Sequence, residues 1–223
     1  NLPVVFAIDR AGMVGADGAT HAGAYDIAYL RCLPNMLVMT PANARECRNM
    51  LTTGFAFDGP SAIRYPRGSG EGPDAGTELE AMAIGKGHVQ RNIQGNPAKR
   101  IAFICFGPML YTAMEVAEAI DATVVNMRFV KPLDEELLKS IASTHDGIVL
   151  VEDSCVMGGA GSACLEYLAE QDIQVSALQI GLPDQFTEHG DIPSLMELYG
   201  ISAKQIETRV RARFAIEACT TAL

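Results

Sequence analysis

Val4-Val5-Phe6-Ala7-Ile8 runs directly into Asp9-Arg10 and then into a loop, residues 11–23, with glycine at positions 12, 15, 18 and 23. The run is apolar at odd and even positions alike, which is the pattern of a strand buried on both faces of a parallel sheet. Working outward, similar runs recur at residues 36–39, 61–65, 101–106, 123–125, 147–151 and 175–180. Segments with helical period lie between them, at 43–57, 111–120, 134–143, 162–171 and 202–214. In the first of these the apolar positions are Cys47, Met50, Leu51 and Phe55, with Asn43 as N-cap and Glu46 three residues on. Asp134 caps another, and Ser202 with Gln205 caps the last. Strands alternating with helices over this length predict an α/β fold with right-handed crossovers.

The alternation breaks at Gly68-Ser69-Gly70-Glu71-Gly72-Pro73-Asp74-Ala75-Gly76, which is too rich in glycine for the interior of an element. We therefore expect a first unit at residues 1–67, a linker at 68–83 and a second unit at 84–223. The first unit is physically incomplete. Inner strands need neighbours on both edges and helices on both faces, and about seventy residues bury only roughly 60% of their surface. Residues 1–67 thus read as the C-terminal half of a parallel-sheet domain. The absence of an initiator Met or a leader before this first strand leads to the same expectation of a longer chain.

Composition narrows the function. The 223 residues are 48% hydrophobic and 20% charged, as in ordinary globular proteins. Seventeen Lys+Arg against twenty-seven Asp+Glu gives a net charge of −10, which disfavours nucleic acid as a partner. No apolar run approaches the ~20 residues of a spanning helix, so no membrane role is expected. Cys32, Cys47, Cys105, Cys155, Cys164 and Cys219 form no CxxC pair and no zinc spacing. They read as reduced, mostly buried thiols of a cytoplasmic protein, with no metal site.

Ligands of open parallel sheets bind beyond the carboxyl ends of the strands. Arg10 follows the first strand and Arg67 follows the third, so both guanidinium groups should reach one edge. Two such forks suit a phosphate or carboxylate. Asp17 and His21 lie in the glycine-rich loop between them, and an imidazole beside a carboxylate can move a proton near neutral pH. The same four positions also read as turn residues and surface ion pairs, and Arg64 reads as a surface salt bridge. Met157-Gly158-Gly159-Ala160-Gly161-Ser162 follows a strand and opens a helix, an arrangement that can hold a phosphate. A close helix-to-sheet turn is the preferred reading there. His88, His145 and His189 are isolated and read as surface or loop residues. The basic side of residues 204–213 reads as a solvated face.

The string Ala7-Ile8-Asp9-Arg10-Ala11-Gly12-Met13-Val14-Gly15-Ala16-Asp17-Gly18-Ala19-Thr20-His21 resembles the signature of 1-deoxy-D-xylulose-5-phosphate synthases. So do Tyr29-Leu30-Arg31, Met39-Thr40-Pro41 and Ser61-Ala62-Ile63-Arg64-Tyr65-Pro66-Arg67-Gly68, and so do Arg128-Phe129-Val130-Lys131-Pro132-Leu133-Asp134 and the glycines at 158–161. Shorter elements are shared with transketolases and with β subunits of 2-oxoacid dehydrogenase E1 components. The resemblance implies a thiamin-diphosphate- and Mg²⁺-dependent, homodimeric enzyme that joins pyruvate to D-glyceraldehyde 3-phosphate with release of CO₂, feeding isoprenoid and thiamin synthesis. It makes residues 1–67 the end of a pyrimidine-binding domain and residues 84–223 a transketolase-like, three-layer C-terminal domain. It places acceptor binding on Arg10 and Arg67, and catalysis on His21 and Asp17. The Gly-Asp-Gly…Asn element for metal and diphosphate and the cofactor-activating glutamate are absent from this sequence. The implied fragment therefore binds no cofactor, is inactive alone and needs the N-terminal part of the same enzyme. An E1 β-type subunit and a non-catalytic dimerisation module are the alternatives. Ala22, Asp153 and Cys164 are small departures from the family pattern.

Overall fold

A computed structural model describes residues 1–68 and 70–217. Ser69 and Cys219 lie outside the described residues, as do the ends of the expected 84–223 unit beyond Glu217. One sheet has the order β1 (Val5–Ile8), β3 (Ser61–Arg64), β2 (Leu37–Met39), β7 (Phe129–Lys131). The first three strands are parallel, and β7 pairs antiparallel with β2. The other sheet has the order β4 (His88–Arg91), β6 (Thr123–Asn126), β5 (Ile101–Cys105), β8 (Gly147–Cys155), β9 (Ser176–Leu182). It is parallel except for β4 at its edge. The helices are α1 (Asp26–Arg31), α2 (Ala44–Ala56), α3 (Met109–Ile120), α4 (Glu135–Thr144), α5 (Ala160–Glu170), α6 (Ile192–Leu198) and α7 (Ala203–Phe214). The architecture is α/β, as the alternation predicts.

The second sheet is covered on both faces because its strands are apolar at both parities. Phe103, Cys105, Val149 and Val151 face α3 and α7, through Val116, Ala117, Val210 and Phe214. Ala102, Ile104, Ile148 and Leu150 face α4 and α5, through Leu138, Ile141, Cys164 and Leu168. Three of the expected caps are made: Asn43, Asp134 and Ser202 accept from the backbone N–H of Glu46, Leu137 and Gln205. Each such cap is worth about 1 kcal/mol.

Several expectations need correction. Strand β1 is not buried on both faces. It is a sheet edge, and Phe6 is 45% exposed. Phe55, on the apolar stripe of α2, is 79% exposed, because α2 covers β1 and β3 only with Met50 and its neighbours. His88 is in a strand; His145 lies in the loop after α4, as expected, but is half-buried, bonded to Thr123 Oγ1 and the Ile141 carbonyl. Burial lowers the His145 pKa. Cys32 is exposed, whereas Cys105, Cys155 and Cys164 are buried. The arginines of α7 are not simply solvated, since Arg209 donates to the carbonyls of Gly200 and Gln179.

The two sheets are joined by more than the linker. Strand β7 lies beyond residue 84 yet pairs with β2 at one edge of the first sheet. Glu46 accepts from Ala42 N–H, Asn126 Nδ2 and Arg128 Nε (2.7 Å), so this carboxylate ties α2 to the turn between β6 and β7. Arg31 of α1 holds Glu166 of α5 and the Gly158 carbonyl.

Candidate active site

Ile8 stands opposite Arg64 in the parallel register of β1 and β3, so Arg10 and Arg67 leave the sheet at the same edge. Arg10 has φ +61°, a left-handed conformation that a side-chain-bearing residue adopts at a cost of about 1–3 kcal/mol. Its carbonyl accepts from Gly23 N–H (2.8 Å), and Gly12 N–H donates back to the Gly23 carbonyl (3.0 Å). These bonds close the loop 11–23 at its base. Gly23 has no room for a side chain, since a Cβ there would sit 2.6 Å from the Arg10 carbonyl oxygen.

Above that base a single 3-10 turn, Gly15–Asp17, carries Asp17 to the sheet edge. Its carboxylate stands 3.1 Å from Arg67 Nη1 and 3.7 Å from Arg10 Nε. Arg10 Nε is buried and has no hydrogen-bond partner, while its Nη1 donates to Asp9 (2.6 Å). Three of the four sequence-derived candidates therefore meet around one carboxylate. His21 is exposed, at the end of the same loop, and its Nδ1 lies 3.0 Å from Thr20 Oγ1. The structure does not bond it to Asp17 or to either arginine.

A cleft of about 230 Å³ runs from Arg67 into the junction of the two sheets, between Ala11, Met13, Tyr111, Met196 and Asp153. Its wall is mostly apolar. A second groove beside it is lined by Gly15, Arg67 and residues 190–192, the segment that leads into α6. Sequence reading missed this segment. Gly190 N–H donates to the Gly15 carbonyl (3.2 Å), and His189 lies against Gly18. Its only sequence signal was the His-Gly pair at 189–190, too common to single out.

Arg64 overturns the surface salt-bridge reading. It is 1% exposed and donates to Asp26 (Nε, 2.7 Å), to Asp153 and to the Gly23 carbonyl (Nη2, 2.6 Å). Burial works to lower its pKa, but Asp153 and Asp26 outweigh that and hold it above the ordinary arginine value. The glycines at 158–161 make a close turn whose anion-holding amides are already occupied. Glu152 accepts from Ala160 N–H (2.8 Å) and Gly161 N–H (2.9 Å), and Ser154 donates to it as well. A Cβ on Gly159 would meet its Oε2 at 2.3 Å. Burial pushes the Glu152 pKa up to about 7 against those donors.

The helix N-terminus that could take a diphosphate is filled by Glu152, and among the described residues no group of three or more His, Cys, Asp or Glu could hold a metal ion. Among the described residues no helix is long and apolar enough to cross a membrane.

Known proteins agree with this architecture. The family described as "Transketolase, pyrimidine binding domain" matches residues 1–72, and "Transketolase, C-terminal domain" matches residues 90–206. The chain is 56% identical over 217 residues to the 1-deoxy-D-xylulose-5-phosphate synthase of Ralstonia pickettii, and 56% identical over 218 to that of Cupriavidus metallidurans. Those matches cover 97% and 98% of this chain, which spans about a third (34%) of the length of each relative. A solved "Split gene transketolase, inactive beta4 tetramer" superposes with a TM-score of 0.81 at 30% identity, covering 96% of this chain and 67% of that one. The transketolase of Campylobacter jejuni shares the fold, with a TM-score of 0.66 at 18% identity over 93% of this chain and 31% of its own. By sequence and by fold, the chain belongs to the transketolase family.

Proposed function

We propose that this chain supplies the acceptor side of a 1-deoxy-D-xylulose-5-phosphate synthase, which joins pyruvate to D-glyceraldehyde 3-phosphate with loss of CO₂. The observation that carries the reading is the Asp17 carboxylate held between Arg10 and Arg67 at the carboxyl ends of two adjacent parallel strands. Arg10 and Arg67 bind the phosphate of the aldehyde. Asp17 yields Arg67 to that phosphate and then orients the substrate hydroxyls. His21, free of other side chains except Thr20, gives a proton to the aldehyde oxygen as the new carbon–carbon bond forms.

Thiamin diphosphate supplies the carbon nucleophile in such an enzyme, and with its Mg²⁺ it is held by residues this chain does not contain. The layout proposed is a half pyrimidine-binding domain at 1–67, a linker at 68–83 and a C-terminal domain at 84–223. The exposed edge and apolar side chains of β1 support a missing neighbour in the first sheet. The active form is a cytoplasmic homodimer of the joined parts. The likeness to a split-gene transketolase favours a second reading, in which a separate partner chain provides the upstream part.

The test is the acceptor KM in the active assembly, formed by joining or mixing this chain with the upstream two-thirds found in its relatives. Losing a charge-assisted contact of about 1.5–3 kcal/mol by Arg67→Ala should raise the KM for D-glyceraldehyde 3-phosphate tenfold or more and spare that for pyruvate. An unchanged acceptor KM removes Arg67 from the site and the reading with it.

A further inference from the structure

The loop that carries Asp17 is fastened from below by the second sheet. Arg64 Nη2 donates to the Gly23 carbonyl (2.6 Å), and Gly23 is the residue whose N–H fixes the Arg10 carbonyl (2.8 Å). The guanidinium is in turn gripped by Asp26 and by Asp153, and Asp153 belongs to β8 of the other sheet. Asp153 also packs against the loop directly, since a Cβ on Gly12 would lie 3.0 Å from its Oδ2. Two backbone bonds repeat the connection: Cys155 N–H to the Ala24 carbonyl (2.6 Å) and Gly190 N–H to the Gly15 carbonyl (3.2 Å).

We propose that Asp153, acting through Arg64 and Gly23, is a positioning residue that sets where Arg10 and Asp17 stand. The C-terminal sheet thereby takes part in acceptor binding without touching the acceptor. This inference rests on the acceptor-site reading above. Direction is the reason for it. The Arg31–Glu166 pair also joins the two sheets, but among the described residues neither side chain is hydrogen-bonded to the loop 11–23. The Asp153–Arg64 pair ends on the Gly23 carbonyl, one of the two that close that loop. Losing its charged partner lets the guanidinium turn toward Asp26, draws it off Gly23 and moves Arg10, which is already held at φ +61°. Displacements on the order of 1 Å at a binding group cost up to about a hundredfold in function.

The experiment titrates glycerol 3-phosphate, an unreactive phosphate monoester, into the ¹⁵N-labelled chain and follows the loop amides, with thermal unfolding measured alongside. Asp153→Asn should weaken binding by about fivefold or more and shift the Gly12 and Gly23 amides. Glu166→Gln, which loosens the same junction elsewhere, should stay within about twofold. In the active assembly Asp153→Asn should raise the KM for D-glyceraldehyde 3-phosphate at constant KM for pyruvate, a split that general loosening would not give. If Asp153→Asn does not fold, Arg64→Met combined with Asp26→Asn and Asp153→Asn removes the three charges of the cluster together, and the same loss is expected. Wild-type affinity in a folded Asp153 variant, while Arg67→Ala loses binding, overturns the inference and leaves the acceptor site standing. If Arg67→Ala also binds normally, the acceptor-site reading fails and the inference falls with it.

Discussion

Arg64 and Arg67 stand three residues apart at the end of the same strand, each beside an aspartate, and they live in different solvents. Arg64 is 1% exposed, with two carboxylates and a carbonyl around it. The Arg67 side chain is 54% exposed and, among the described residues, forms an ion pair with Asp17 alone. A buried guanidinium has no water to fall back on, so its partners are fixed parts of the fold. An exposed one exchanges partners at little cost, because the pair is worth only about 0–1 kcal/mol in water. The difference supports the roles proposed above, in which the inner cluster holds the loop and the outer cluster trades its carboxylate for a ligand's phosphate.

The hardest test of that contrast is to break each cluster in turn. Arg64→Met leaves Asp26 and Asp153 buried without a counter-charge and should destabilise the chain by about 3–5 kcal/mol. Arg67→Met should change stability by no more than about 1 kcal/mol. Urea unfolding of the two variants beside the wild type reads both values. Equal losses would mean that burial does not separate the clusters.

Much of this contrast was invisible in the sequence. The parallel strands were legible because runs such as Ile101-Ala102-Phe103-Ile104-Cys105 are apolar at both parities, the pattern of two-sided burial, although the same pattern misled at β1, which is a sheet edge. Strands β4 and β7 were not. One is the largely polar edge His88-Val89-Gln90-Arg91, and the other is three residues long, too short for a period to register. The meeting of Arg10, Asp17 and Arg67 was legible because parallel strands put their loops on one side. The depth of Arg64 was not, because its partners Asp26 and Asp153 are 38 and 89 residues away. Nothing local separates an arginine that will be covered from one that will not. Glu152 hid in the same way: the glycines at 158–161 read as a close turn, and nothing local said that a carboxylate six residues upstream would fill its amides.

Glu152 sharpens the comparison from the side of a carboxylate without a buried cation bonded to it. Burial raises its pKa to about 7 in the folded chain, from an ordinary value of 4.5. The native state therefore binds this proton more tightly than the unfolded state does. The added stability is full below about pH 4.5 and is lost as the pH rises through about 7, an effect of roughly 3 kcal/mol. Unfolding midpoints at pH 5 and pH 8 should differ in this sense for the wild type, and the difference should shrink in Glu152→Gln. A wild-type and variant difference of the same size at both pH values would show that Glu152 is ionised throughout.

The smallest effect on stability, and the finest test, is Asp17→Asn. The pair it removes is half in water, so unfolding should move by no more than about 0.5 kcal/mol. Binding should move the other way from a simple loss. Asp17 occupies Arg67 at 3.1 Å and lies 3.7 Å from Arg10, so in the free chain it competes with any incoming anion. Removing its charge should tighten inorganic phosphate several-fold, by up to about tenfold, and more so at low salt, where exposed charges are least screened. Turnover in the active assembly should fall all the same, because the group proposed to orient the substrate hydroxyls is gone. An NMR titration with phosphate at two ionic strengths separates the alternatives. Tighter binding marks Asp17 as a stand-in for the ligand's charge. Weaker binding would make it part of the anion site's framework, and the outer cluster would then be as fixed as the inner one.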